Sequence, residues 1–113
     1  ITPEVQPNIV GFVEALAPSL ECANVETTIV IFSDAIEWST YVKGSELLSG
    51  ATDLPSPSGP ILEGCHIEMR GVGQQASKLG TDPRWFPLLK DQWSRFMTAA
   101  GAKSFKAYAY PND

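Results

Sequence analysis

The sequence predicts an α+β fold: a two-layer sandwich in which three or more strands form a mostly antiparallel sheet with helices on one face. Three observations predict it. Ile61–Arg70, ILEGCHIEMR, and Lys103–Tyr110 alternate apolar and polar side chains with the period of a half-exposed strand. Thr27–Phe32, TTIVIF, is an unbroken β-branched and apolar run, the pattern of a strand covered on both faces. Around these runs apolar residues recur at helical spacing, so helices and strands alternate along the chain.

The elements follow in order. Asn8 is placed to cap a helix reaching about Ala17, with Ile9, Phe12, Val13, Leu16 and Leu20 on its apolar stripe and Pro18 limiting it. The TTIVIF strand comes next. Asp34 with Glu37 resembles a capping box and opens a second helix through Trp38, Tyr41 and Val42, broken up by Gly44 and Gly50. Asp53–Pro60, DLPSPSGP, is a loop by composition. After the Ile61 strand and a glycine-broken stretch, a long amphipathic helix carries Trp85, Phe86, Leu89, Trp93, Phe96, Met97 and Ala100, with Pro87 near its first turn and Gly101 ending it. In the last strand Phe105, Ala107 and Ala109 lie on one side and Lys106, Tyr108 and Tyr110 on the other. Three strands are a thin sheet for three helices. A strand before Ile1, or strands lent by a partner subunit, would complete it.

Length and charge bound the function. A chain of 113 residues is one domain, residues 1–113, able to bury a core of its own. The net charge of −5 argues against nucleic acid and against an anionic membrane surface. No run approaches a membrane span. Up to Glu63 there are nine acidic residues and one basic; from Gly64 there are four acidic and seven basic, an asymmetry expected to be absorbed where the halves pack. The first residue is not methionine, so residues that precede Ile1 in the native chain, a removed leader among them, stay open. Cys22 and Cys65 leave the compartment open too: paired, they close a loop worth roughly 4 kcal/mol on the chain-entropy relation, and reduced, each is a small buried hydrophobe.

Candidate chemistry gathers on the Ile61 strand. With Cys65, Ile67 and Met69 on the apolar face, His66, Glu68 and Arg70 share the opposite one. Histidine is the side chain best suited to proton transfer near neutrality, so His66 is read as the catalytic acid or base, oriented by Glu68 and Arg70. Trp38, Tyr41, Tyr108 and Tyr110 are read as ligand-binding, the two tyrosines of the last strand suiting a pocket wall or an interface. Gly71–Ala76 matches the dinucleotide fingerprint G-x-G-x-x-A, but the helix after it is short and no acidic residue is placed for a ribose, so a glycine turn is the reading. One histidine and two distant cysteines give no metal-ligand spacing. A Ser–His–Asp arrangement stays open, without a G-x-S-x-G elbow.

The run Thr27–Leu48, TTIVIFSDAIEWSTYVKGSELL, followed after a loop by Cys65–Met69, CHIEM, resembles the strand, helix and histidine-bearing strand of dimeric α+β barrel domains of the antibiotic-biosynthesis-monooxygenase-like group. The matching features are the apolar strand, the acidic turn at Asp34, Trp38, Tyr41 and Ser45 along the helix, and His66 opening the polar side of the later strand. The first strand of that group is missing here, and Pro83–Tyr110 has no counterpart. The resemblance implies a homodimer packed sheet to sheet, a pocket between sheet and helices, and cofactor-free chemistry on a hydrophobic or aromatic small molecule.

Two function classes follow. The preferred one is a small-molecule-binding domain acting as a cofactor-independent enzyme on a hydrophobic or aromatic metabolite, homodimeric, with the cytoplasm favoured. The alternative is a secreted, non-enzymatic interaction protein of the microbial effector type, stapled by a Cys22–Cys65 disulfide. Cysteine state separates them: two free thiols under the first, none under the second.

Overall fold

The computed structural model describes residues 8–37, 43–73 and 84–110. Their elements run α1 (Ile9–Leu16), β1 (Thr28–Phe32), α2 (Gly44–Ser49), β2 (His66–Arg70), α3 (Trp85–Ala99) and β3 (Ser104–Tyr108), with one 3-10 turn at Ala17–Ser19. The strands form one sheet in the order β1-β2-β3, and both pairings are parallel.

The mostly antiparallel sheet expected from the sequence is therefore corrected. Antiparallel neighbours close through short hairpins, whereas parallel ones need a crossover of a dozen residues or more, usually helical. Here α2 lies between β1 and β2, and α3 between β2 and β3, so each strand re-enters the sheet in the same direction. Sequential strand order with crossovers of one hand keeps the helices on a single face. The opposite face stays open among the described residues, unusual for a parallel sheet.

The covered face makes the core. Ile67 and Met69 of β2 are 1% and 0% exposed, and Ile29, Ile31, Phe105 and Ala107 of the flanking strands pack against the same cluster. From the helices come Val13, Leu89, Trp93, Phe96 and Met97. Each fully buried side chain of this size contributes roughly 1.5–3 kcal/mol. Trp93 meets Phe96 edge-on, with ring centroids 5.3 Å apart, and its indole N–H donates to the Ala35 carbonyl at 2.8 Å.

Several local expectations change. The central strand is β2, not β1: Val30 and Phe32 of β1 are 43% and 69% exposed, so the strand read as covered on both faces is an edge with one face in solvent. Asn8 caps α1 as the sequence suggests, accepting from the Gly11 N–H at 2.8 Å. Phe12, placed on the apolar stripe, is 56% exposed, because Ile9, Val10 and Val13 form the buried stripe instead. Asp34–Glu37 is not helical, and Trp38, Tyr41 and Val42, through which the second helix was expected to run, lie outside the described residues. Asp34 accepts from the Ile36 N–H at 3.0 Å in a tight turn, and Ala35 has φ 68°, a left-handed conformation. Glu37 turns inward to α1. Among the described residues a helix starts at Gly44, where a break was expected, and ends in left-handed Gly50 (φ 79°).

Before β2, Ile61–Gly64 is a turn rather than strand, which buries Leu62. The Leu62 and Gly64 N–H groups donate to the carbonyls of Ala100 and Gly101, fastening this turn to the end of α3. Cys22 and Cys65 form a disulfide beside it. Gly64, at φ 81°, has no room for a side chain: a Cβ there would lie 3.0 Å from the Cys22 carbonyl oxygen.

Candidate functional site

Alternation along three parallel strands in register builds the open face as three rows. The first holds Thr28, His66 and Ser104; the second Val30, Glu68 and Lys106; the third Phe32, Arg70 and Tyr108. Successive rows are two residues apart, so the first and third are separated by roughly 13 Å at about 3.3 Å per residue. The third row is the carboxyl end of every strand, the end at which ligands collect on parallel sheets.

At the amino end, His66 is held from both sides. Its Nδ1 lies 2.7 Å from Ser104 Oγ, and its Nε2 meets the Glu26 carboxylate. The His66 hydrogen bond and the nearby Lys103 ammonium, 4.0 Å away, hold the Glu26 carboxyl below its usual pKa. Facing an ionised acceptor, a neutral imidazole carries its proton on Nε2 and leaves the Nδ1 lone pair to the serine hydroxyl. The Cys22–Cys65 disulfide ends one residue before His66 and four before Glu26, tying the two segments together.

At the carboxyl end, Arg70 meets Glu68 and Tyr108. Its Nε and Nη2 donate to Glu68 Oε1 at 3.2 and 3.0 Å, and its guanidinium lies 4.2 Å from the centroid of the Tyr108 ring. Phe32 is its register partner on the other side and presents its ring to solvent. Behind the row, Gly71 and Val72 both donate to the Tyr108 carbonyl, and Gly73 donates to the Asp34 carbonyl, so the strand ends are bound into one rim. Gly71 and Gly73 have positive φ, in keeping with a glycine turn. Asp34 sits at this rim with its carboxyl pKa raised, because burial removes water from it, an effect partly offset by the Ile36 N–H.

The residues singled out in the sequence thus divide. His66, Glu68 and Arg70 share the open face, but Glu68 is taken by Arg70, and the groups on His66 are Glu26 and Ser104. Tyr108 belongs to the carboxyl row; Tyr110 lies beyond the strand and is exposed. Trp38 and Tyr41 fall outside the described residues. Trp85 and Phe86 are partly buried against the core. Among the described residues no group of three or more His, Cys, Asp or Glu is placed for a metal ion.

Sequence reasoning missed Phe32, Ser104 and Glu26. Phe32 was assigned to a fully buried strand. Ser104 carried a signal: extending the Lys106–Tyr108 alternation back by two residues puts it on the polar side. Glu26 carried none, since its place depends on the disulfide. Comparison with protein-family models, with curated proteins and with solved structures finds no match to this chain.

Proposed function

We propose that this chain is a binding domain for flat aromatic small molecules, which lie on the carboxyl-end row Phe32–Arg70–Tyr108. The observation that carries this is the row itself: a solvent-facing phenyl ring next to a guanidinium that lies over a phenol ring, at the ligand-collecting end of a parallel sheet. An aromatic ligand placed there extends the stack that Arg70 makes on Tyr108 and meets the exposed Phe32 ring beside it. Each such contact contributes about 0.5–1.5 kcal/mol. Glu68 holds the guanidinium in place from the same strand, which lowers the entropy lost on binding. Asp34, partly desolvated at the same rim, suits a ligand carrying a hydrogen-bond donor beside its ring.

The disulfide favours an oxidising compartment. Paired cysteines are also the state expected of the secreted interaction protein and not of the cytoplasmic enzyme, which supports a second reading, in which the ring stacked on Arg70 is an aromatic side chain offered by a protein partner. A homodimer stacked face to face draws less support. Among the described residues the open face is three strands of five residues, roughly 14 Å by 17 Å, a small footprint for a sheet-to-sheet interface.

Calorimetric titration with quinoline and indole tests the proposal. Saturable binding is expected, weakened about threefold to tenfold by Phe32→Ala or Arg70→Ala, the equivalent of one lost stacking contact. Equal affinity in the wild type and both variants contradicts it.

A further inference from the structure

The amino-end row is a second site, about 13 Å from the aromatic row, and it does not depend on the function proposed above. Ser104, His66 and Glu26 are joined in the order nucleophile, base and acid by two consecutive hydrogen bonds. They open into a hollow of about 240 Å³ that Thr28, Glu68 and Lys106 complete. The three come from separate parts of the chain, one before β1 and the others opening β2 and β3. Parallel register sets His66 beside Ser104, and the disulfide keeps the Glu26 segment near them.

We propose that Ser104, His66 and Glu26 form an acyl-transfer site for small carboxylic esters, with Ser104 the nucleophile, His66 the general base and Glu26 the residue that positions the imidazole. The Nε2–H tautomer that an ionised Glu26 favours suits this direction. With Nε2–H turned to Glu26, His66 Nδ1 accepts the Ser104 proton as Oγ bonds to the ester carbonyl carbon. The carbonyl electron pair moves onto its oxygen, where the Lys106 ammonium of the same hollow supplies positive charge. Collapse of that intermediate breaks the bond to the alkoxy group, which leaves as the alcohol with the proton from Nδ1. Water then attacks the acyl-serine by the same route in reverse, giving the carboxylic acid and free Ser104. No redox partner enters, and every proton returns through His66. The hollow is open on its outer side, so the fitting esters are short and approachable from solvent.

The test treats the intact, disulfide-bonded protein with an ethyl fluorophosphonate probe, read by intact mass and peptide mapping, alongside release of 4-nitrophenol from 4-nitrophenyl acetate. One adduct on Ser104 is expected, lost in Ser104→Ala. Its rate should fall about a hundredfold in His66→Gln. Glu26→Gln should slow labelling, and Glu26→Asp should restore most of it, a rescue that a merely structural role would not give. Circular dichroism and a thiol count confirm that each variant is folded and disulfide-bonded. An unlabelled Ser104 in the folded wild type overturns the proposal, as does labelling at the same rate in His66→Gln.

Discussion

Glu37 holds the start of the first helix from 28 residues away in sequence: its Oε1 accepts from the Ile9 N–H at 2.8 Å and from the Val10 N–H at 3.1 Å. A helix leaves its first N–H groups without partners, and burial makes each of them costly unless something accepts from it. Glu37 is itself 0% exposed, and its other oxygen, Oε2, has no partner among the described residues. The contact joins α1 to the segment that leaves β1.

From this contact, Glu37→Ala should destabilise the fold by about 2–6 kcal/mol, because two buried N–H groups are left orphaned. Glu37→Gln keeps an acceptor oxygen and should cost less. Urea unfolding of the two variants measures the difference; equal effects would mean that the capping contact contributes little.

Amide exchange should rank the strands. Protection is expected to be highest in β2, which is paired on both sides and buried at Ile67 and Met69, and lower in β1, an edge with Val30 and Phe32 in solvent. Slower exchange in β1 than in β2 would contradict the strand order.

Much of this fold was legible in the sequence, and the failures have specific physical causes. The alternation Cys65–Arg70 correctly separated a buried face from a polar one, because a strand's period of two leaves no freedom once one face is committed to the core. Strand direction was misread, although the regular alternation of helices and strands already pointed to parallel crossovers. TTIVIF looked doubly covered because its apolar run is continuous; composition alone cannot tell a central strand from an apolar edge. Glu37 looked like a local cap for the segment after Asp34, whereas a carboxyl group caps whichever helix start the tertiary fold brings to it. The pairing of Glu26 with His66 had no sequence signal, being set by a loop fastened through the disulfide.

Reduction of Cys22–Cys65 should lower stability by about 4 kcal/mol, from the loop of 43 residues it closes. It should also free Glu26 from His66. Unfolding with and without a reductant gives the first quantity, and the His66 ring resonances report the second. An unchanged denaturation midpoint would contradict the role given to the staple.

Asp34 makes stability depend on pH with a defined sign. Its folded pKa is raised above the ordinary value of 3.8, so its favourable contribution is fully present below that value and is lost as pH rises through the folded pKa. Asp34→Asn keeps an acceptor for the Ile36 N–H and carries no charge. It should therefore be more stable than the wild type at pH 7, with the difference vanishing toward pH 3. A variant less stable at pH 7 would mean that ionised Asp34 has a partner outweighing its desolvation.

The central claim, an aromatic-binding row at the carboxyl end of the sheet, is tested most directly by a nitrogen-15 NMR titration with quinoline, including the Arg70→Lys variant. Lysine keeps the charge but removes the plane on which a ring stacks. The expected result is saturable shifts at Phe32, Arg70 and Tyr108, with the His66 end of the sheet unmoved and affinity reduced in Arg70→Lys. Shifts centred elsewhere, or undiminished affinity in Arg70→Lys, would contradict the account.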